Sequence, residues 1–329
     1  MPTKSKPTLT DISLNVLKTR LKSEKKKNFN FVFFGDSWFD WGDASKSGTT
    51  MNTAKKDAIL RYQIVLSSLQ AATKVKPKPL FILYGGDAVR SGAVPQLTYF
   101  RDTVAKFVQK HKIPFFLVPG NHERNGAGGP LTDYQNIIGP KKHDKALKEN
   151  SLNYILNTPD LRMIMLNDIG PVSGGTKFGI TSQALSTFNK GIKTGKRVLV
   201  VMHVPPKSGS FSHFPTDEAF AVTTPNDKQF IATLKKTDRV KLVLVSHIHN
   251  IRLKGKIAGK VAVLNGNGGA GTDTTPTPHP VTTLFHFDQK KKTIAFKGDK
   301  TVKVNTFLKP TKVFIATTGG TIITIPIKS

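Results

Sequence analysis

Six residues have side chains suited to binding hard or borderline cations: Asp36, Asp87, Asn121, His203, His247 and His249. Each lies at the edge of a short apolar run. Carboxylate, amide oxygen and imidazole together suit Mn, Fe(II) or Zn. The chain has no cysteine, which excludes thiolate sites, disulfides and cysteine nucleophiles. Two cations close together need an anion between them, and an aspartate such as Asp87 can serve. Such a pair clamps phosphoryl oxygens and lowers the pKa of a bound water, giving hydroxide near neutral pH. A single histidine at a strand end reads as a satisfied core residue. Six donors spread over successive strand ends read as a centre.

The blocks Gly35-Asp36, Gly86-Asp87, Gly120-Asn121-His122-Glu123, His203 and His247-Ile248-His249 occur in that order. They resemble the calcineurin-like metallophosphoesterase superfamily, which includes the purple acid phosphatases, over about residues 29–270. The Gly-Asn-His-Glu block and the His-x-His tripeptide are specific; the Gly-Asp pairs alone are weak. The resemblance implies a four-layer α/β/β/α sandwich with two mixed sheets. It also implies a phosphoester hydrolase using hydroxide activated by two divalent ions (Mn, Fe or Zn). Asp36 and His249 would hold the first ion, Asp87 would bridge, and Asn121, His203 and His247 would hold the second. His122 would stand at the leaving group as general acid.

The pattern departs from the family in three places. Trp38 stands where many members have the histidine of Asp-x-His, which leaves Asp40 or Asp43 as a substitute donor. Arg90 stands where purple acid phosphatases carry tyrosine, so a ferric-tyrosinate site is not expected. Ser246 replaces a usual glycine. Arg90, Arg124 and His213 are the candidates for gripping a substrate phosphate. Trp38, Phe39 and Trp41 would cover the domain edge or stack a flat group. Residues 266–271, Gly-Asn-Gly-Gly-Ala-Gly, lack a P-loop ending and read as a tight turn, with Asn265 or Asn267 near substrate. Asn167-Asp168 would orient metal ligands from behind.

The elements that must carry these residues follow from periodicity. Unbroken apolar runs at 30–34, 80–84, 115–118, 163–166, 198–202 and 242–245 predict strands covered on both faces. Between them, 54–72, 95–111, 181–193 and 226–236 show helical spacing. Alternating strands and helices define an α/β layered sheet whose ligands gather beyond the strand C-termini. Residues 1–28 read as a basic tail with one helix capped by Thr10 or Asp11, and 29–290 as the metallophosphoesterase domain. Residues 291–329 read as a β-rich extension packed on it. Residues 125–150 read as an insertion or lid, and 206–225 as a covering loop. Strands at 261–264, 282–287, 293–296, 302–307 and 312–325 would form a second sheet or belong to the extension.

The formal net charge of +29 over 329 residues favours polyanionic partners: phosphorylated substrate, nucleic acid or polyphosphate. This keeps two alternatives in view, a nuclease or phosphodiesterase on nucleic acid and a low-activity polyanion-binding protein with a weakened first metal site. No apolar run is long enough for a membrane span. No secretory signal is seen in the chain as given, which points to the cytoplasm by default, or to export if a signal was removed. The oligomeric state is left open.

Overall fold

The computed structural model describes residues 6–23, 28–39, 48–124, 130–141, 152–170, 178–207, 209–210, 219–249, 251–271, 279–305, 312–316 and 322–326. In chain order the elements are α1 (Leu9–Ser23), β1 (Asn28–Phe34), α2 (Met51–Thr73), β2 (Phe81–Tyr84), α3 (Val94–His111) and β3 (Phe115–Leu117). A 3-10 turn (Asn121–Glu123) follows, then α4 (Thr132–Ile137), β4 (Tyr154–Asn157), β5 (Leu161–Met165), α5 (Ser182–Ile192), β6 (Arg197–Val201), β7 (Gly209–Ser210) and α6 (Pro225–Lys236). The remainder are strands: β8 (Val240–His249), β9 (Arg252–Ile257), β10 (Lys260–Gly266), β11 (Val281–Asp288), β12 (Thr293–Thr301), β13 (Lys312–Ala316) and β14 (Ile322–Pro326).

Two sheets form the centre. One runs β12-β11-β1-β2-β3 and the other β4-β5-β6-β8-β10-β9-β7. Side-chain alternation in β1 shows why they stack. Phe29, Phe31 and Phe33 point one way, into a core shared with Met163, Met165, Leu199, Val201 and Leu244 of the other sheet. Val32 and Phe34 point the other way, toward Val65, Leu69, Phe100 and Val104 of α2 and α3. On the second sheet, Ile164, Val200 and Val243 do the same against Phe188 and Phe230 of α5 and α6. Phe31 stacks between Phe81 and Phe285 at 5.5 and 5.0 Å. Each such buried phenylalanine contributes roughly 1.5–3 kcal/mol. The result is the expected α/β/β/α order, with β13 and β14 as an additional C-terminal hairpin.

β1, β2 and β3 are mutually parallel, as are β5, β6, β8 and β10. Their C-terminal ends therefore collect the expected donors at one edge. Asn265 ties the sheets together there, its amide donating to Val281 O and Thr283 Oγ1, each at 3.1 Å.

Several expectations are corrected. The strand at 261–264 pairs with β8 and that at 282–287 with β1, so both complete the two central sheets. Residues 302–305 form no strand; they leave β12 toward α2, where the Asn305 N–H donates to Ser67 Oγ at 2.7 Å. The cap of α1 is Thr8, whose hydroxyl accepts from Asp11 N–H while Asp11 accepts from Thr8 N–H. Within 125–150 the described part contains α4, docked on α1 through Thr10 Oγ1 to Ile138 O at 2.7 Å. No helix among the described residues is long and apolar enough to cross a membrane.

Candidate metal centre

Backbone geometry aims the ligands. Asp36, Trp38, Asp87 and His247 have φ of 56°, 45°, 53° and 74°, in the left-handed region that costs a non-glycine residue about 1–3 kcal/mol. Each turns the chain sharply at a strand end and brings its side chain over the sheet edge. The turns are tied to one another: Asp36 N–H donates to Gly86 O at 3.0 Å, and Trp38 N–H to Asp87 O at 3.1 Å. Gly120 must be glycine, since a Cβ there would lie 2.1 Å from Asp87 Oδ1.

The six donors expected from the sequence meet. Asp87, His203 and His247 offer ligand atoms within 4.8 Å of one another, and so do Asp36, Asp87 and His249. Asp87 belongs to both groups. Asn121 Oδ1 lies 3.1 Å from His203 Nε2, and His247 Nδ1 lies 3.1 Å from the same nitrogen. His203 Nδ1 donates to Gly85 O at 2.7 Å, which leaves Nε2 facing the cluster. His247 N–H donates to both Asp36 oxygens at 3.1–3.2 Å.

Two buried acids brace this arrangement from behind. Asp168 accepts from His203 N–H at 3.2 Å and Val204 N–H at 2.7 Å, as its neighbourhood in the sequence suggested. Glu123 accepts from the backbone N–H groups of Asp87, Gly120 and Val89 at 2.9, 2.5 and 3.0 Å. The sequence reading gave Glu123 no role; its signal was an acid inside a turn that the motif buries. Burial pushes Asp168 up to about 7, opposed by His203. Burial and the Asp87 charge push Glu123 to about 7 as well.

The electrostatics within the cluster are opposed. Burial, joined by Asp87, raises Asp36 well above the usual carboxylate range. Burial also works against ionisation of Asp87, but His203 and His122 hold its carboxyl well below that range. His203 is pushed up to about 10, because Asp87 overcomes the burial that would lower it. Burial, reinforced by His203, drives His247 down to about 3; burial takes His249 to about 4 against the pull of Asp87. His247 and His249 are thus neutral bases beside the ionised carboxylate of Asp87, while Asp36 and His203 hold their protons more strongly. Carboxylate, amide oxygen and imidazole donors fit divalent cations, whose binding would release the protons held on Asp36 and His203.

Trp38 is neither edge cover nor an outer stacking wall. It is buried inside the centre, its indole N–H donating to Asp87 Oδ2 at 3.2 Å. Its ring lies 4.3 Å from that of His122 and 4.5 Å from that of His249. The Arg61 and Arg90 guanidiniums lie 5.3 and 5.5 Å from its centroid. Nothing in the sequence pattern marked Arg61, which comes from the middle of α2. His122 Nδ1 donates to Arg90 O at 2.7 Å, leaving Nε2 facing the centre, 3.9 Å from Asp87 Oδ2.

Arg124 lines a hollow of about 430 Å³ with Leu131, Asn167, Ile169 and Thr181. Ser246 fits because Gly35 and Gly85 leave room for it, and its hydroxyl donates to Asn265 O at 2.8 Å. Asn265, expected near substrate, is instead wholly buried and occupied in joining the sheets. His213, Asp40, Asp43 and Trp41 lie outside the described residues.

Fold and site together define a two-sheet α/β sandwich with candidate metal ligands along one strand edge. The chain belongs to the calcineurin-like phosphoesterase family, whose model matches residues 29–250. A relative from Arcobacter nitrofigilis, named "Probable glycerophosphodiester phosphodiesterase GpdQ", is 22% identical over 192 residues. That match covers 58% of this chain and 63% of the relative. A dimetal phosphatase from Danio rerio shares the fold with a TM-score of 0.51 at 13% identity, over 84% of this chain and 99% of that one.

Proposed function

We propose that the chain hydrolyses phosphoesters with two divalent cations, drawn from Mn, Fe and Zn. Asp36, Asp87 and His249 would hold one; Asp87, Asn121, His203 and His247 would hold the other. The observation that carries this reading is the pair of donor groups sharing Asp87 within 4.8 Å. Bound cations would clamp the phosphoryl oxygens and acidify a water.

The chain's own residues do the remaining work. Glu123 and Asp168 fix the backbone that carries Asp87 and His203, so the donors need little rearrangement. His122, with Nδ1–H anchored on Arg90 O, turns Nε2 to the centre, 3.9 Å from Asp87 Oδ2; its side chain is 28% exposed, enough to reach a bound ester. A proton held at that nitrogen is placed for delivery to the leaving oxygen. Arg90 and Arg124 are the groups suited to bind the ester's remaining negative charge. The name of the Arcobacter relative favours a diester over a monoester.

The test is a panel of aryl phosphomonoesters and diesters with protein reconstituted in turn with Mn, Zn, Fe and Mg. Asp87→Asn and His203→Ala should abolish hydrolysis, with diesters preferred by the parent chain. Undiminished turnover by metal-stripped protein would overturn the proposal.

A second reading, a polyanion binder with little turnover, is favoured by the indole N–H on Asp87 and by the charge of +29. One tightly held ion per chain without hydrolysis would support it. If the polyanion were nucleic acid, binding would weaken steeply between low and moderate salt.

A further inference from the structure

We infer that Trp38 is a positioning residue that makes the two cation sites unequal. On this view the Asp87–His203–His247 side binds tightly and the Asp36–Asp87–His249 side markedly more weakly. The inference rests on the metal-centre reading above and concerns how that centre fills.

Three observations carry it. The first is donor number. The His203 side has Asp87, His203 and His247, with Asn121 Oδ1 only 3.1 Å from His203 Nε2. The His249 side has Asp36, Asp87 and His249 among the described residues.

The second is how the shared carboxylate is used. Asp87 Oδ1 faces His203 Nε2 at 3.4 Å and accepts the His122 backbone N–H at 2.9 Å, while Oδ2 accepts a side-chain donor, the Trp38 indole N–H, at 3.2 Å. A carboxylate oxygen that accepts a hydrogen bond has one lone pair fewer for a cation and a lower electron density to offer. Both oxygens carry one such bond, but only the indole's comes from a replaceable side chain, and it weakens Asp87 on the side where Trp38 lies against the His249 ring at 4.5 Å.

The third is charge. The Arg61 and Arg90 guanidiniums sit over the Trp38 ring at 5.3 and 5.5 Å. An arginine is never neutral in a protein, so both bring fixed positive charge to the His249 side, offset in part by Asp57, whose carboxylate both stabilise. Trp38 adds cation–π attraction to the other bonds that hold them, among them Arg61 to Ala270 O at 2.9 Å. Its rigid ring also packs on His122 at 4.3 Å, so the same side chain orients the acid and restrains the His249 side.

Calorimetric titration of the metal-stripped full chain with Mn(II) tests this. The expected result is two phases whose dissociation constants differ by about tenfold or more, as changes of ligand support typically produce. His249→Ala should remove the weaker phase and keep the tighter one; His203→Ala should remove the tighter one. Trp38→Phe keeps the ring packing and deletes the N–H. It should strengthen the weaker phase several-fold while leaving the tighter constant within about twofold, a split that mere loss of packing would not give. Trp38→His, which adds a donor, should narrow the gap further.

Equal affinities in the parent chain would overturn the inference, as would loss of the tighter phase in His249→Ala. A Trp38→Phe variant that shifts both phases alike would overturn it too. Should that variant not fold, the parent titration and the two histidine variants still decide. Failure of the parent chain to bind any cation would instead overturn the metal-centre reading itself.

Discussion

Glu123 shows how much a single buried residue can carry in this protein. Its two oxygens accept from three backbone N–H groups, on the segments that present Asp87 and Asn121. Glu123→Ala leaves those donors without partners in a dry environment, where each unsatisfied group costs about 1–3 kcal/mol. Glu123→Gln retains one accepting oxygen but aims an amide N–H at another donor. Its cost should be smaller, about 1–3 kcal/mol, with the alanine variant clearly worse. Urea unfolding of metal-free protein measures both. His122 belongs at the same scale, with a kinetic signature. His122→Ala should lower kcat by roughly 10²–10⁴-fold on esters with alkyl leaving groups. The loss should be smaller on nitrophenyl esters, whose leaving group needs no proton. A loss independent of the leaving group would remove His122 from the role of acid.

The strand ends depend on fit between elements that are remote in sequence. Ser246, at the end of β8, fills the gap between Gly35 after β1 and Gly85 after β2. A Cβ on Gly35 would stand 2.2 Å from Ser246 Oγ. Gly35→Ala should therefore destabilise by about 1–3 kcal/mol through overpacking. Adding Ser246→Gly clears the clash and should recover part of that loss, a coupling readable as a double-mutant cycle by denaturant unfolding. Additive effects would show that the two strand ends do not press on one another. Serine in place of the family's usual glycine is thus accommodated by two glycines facing it. Most of the strands and helices that bring these ends together were legible in the sequence, because burial on both faces leaves unbroken apolar runs. The cap at Thr8 was missed because Thr8, Thr10 and Asp11 all have capping side chains, and only the hydrogen bonds choose among them.

For the whole molecule, alkaline stability is set by buried phenols. Tyr84, Tyr134 and Tyr154 are wholly buried, and burial raises each above its ordinary value. Tyr134 and Tyr154 both donate to Leu117 O, at 3.1 and 2.7 Å, close to the seam of the two sheets. A raised folded pKa means the folded chain keeps protons that the unfolded chain releases. The stabilisation is full below about pH 10, the unfolded value, and declines as pH rises above it. These three alone should lower unfolding free energy by about 4 kcal/mol per pH unit in that range, and half-buried Tyr62, pushed up to about 12 by burial, adds to the slope. Denaturant titrations from pH 9 to about 11.5 would check this. A flat profile would mean the phenols ionise within the fold.

The amino-acid sequence by itself determined the types and order of the donors, the two-faced burial of the strands that precede them, and the family. Those properties are local: periodicity states which face a segment hides, and short blocks state what stands at its end. Only the tertiary structure decided which donors meet. His247 N–H donates to an aspartate 211 positions earlier, and that proximity is set by how two sheets stack. It likewise decided that Trp38 turns inward on a left-handed backbone to bond Asp87, and that Arg61 of α2 comes to lie above it. The reason is physical. An indole or a guanidinium has the same local preferences at an edge or in a core, and long-range packing alone selects between them.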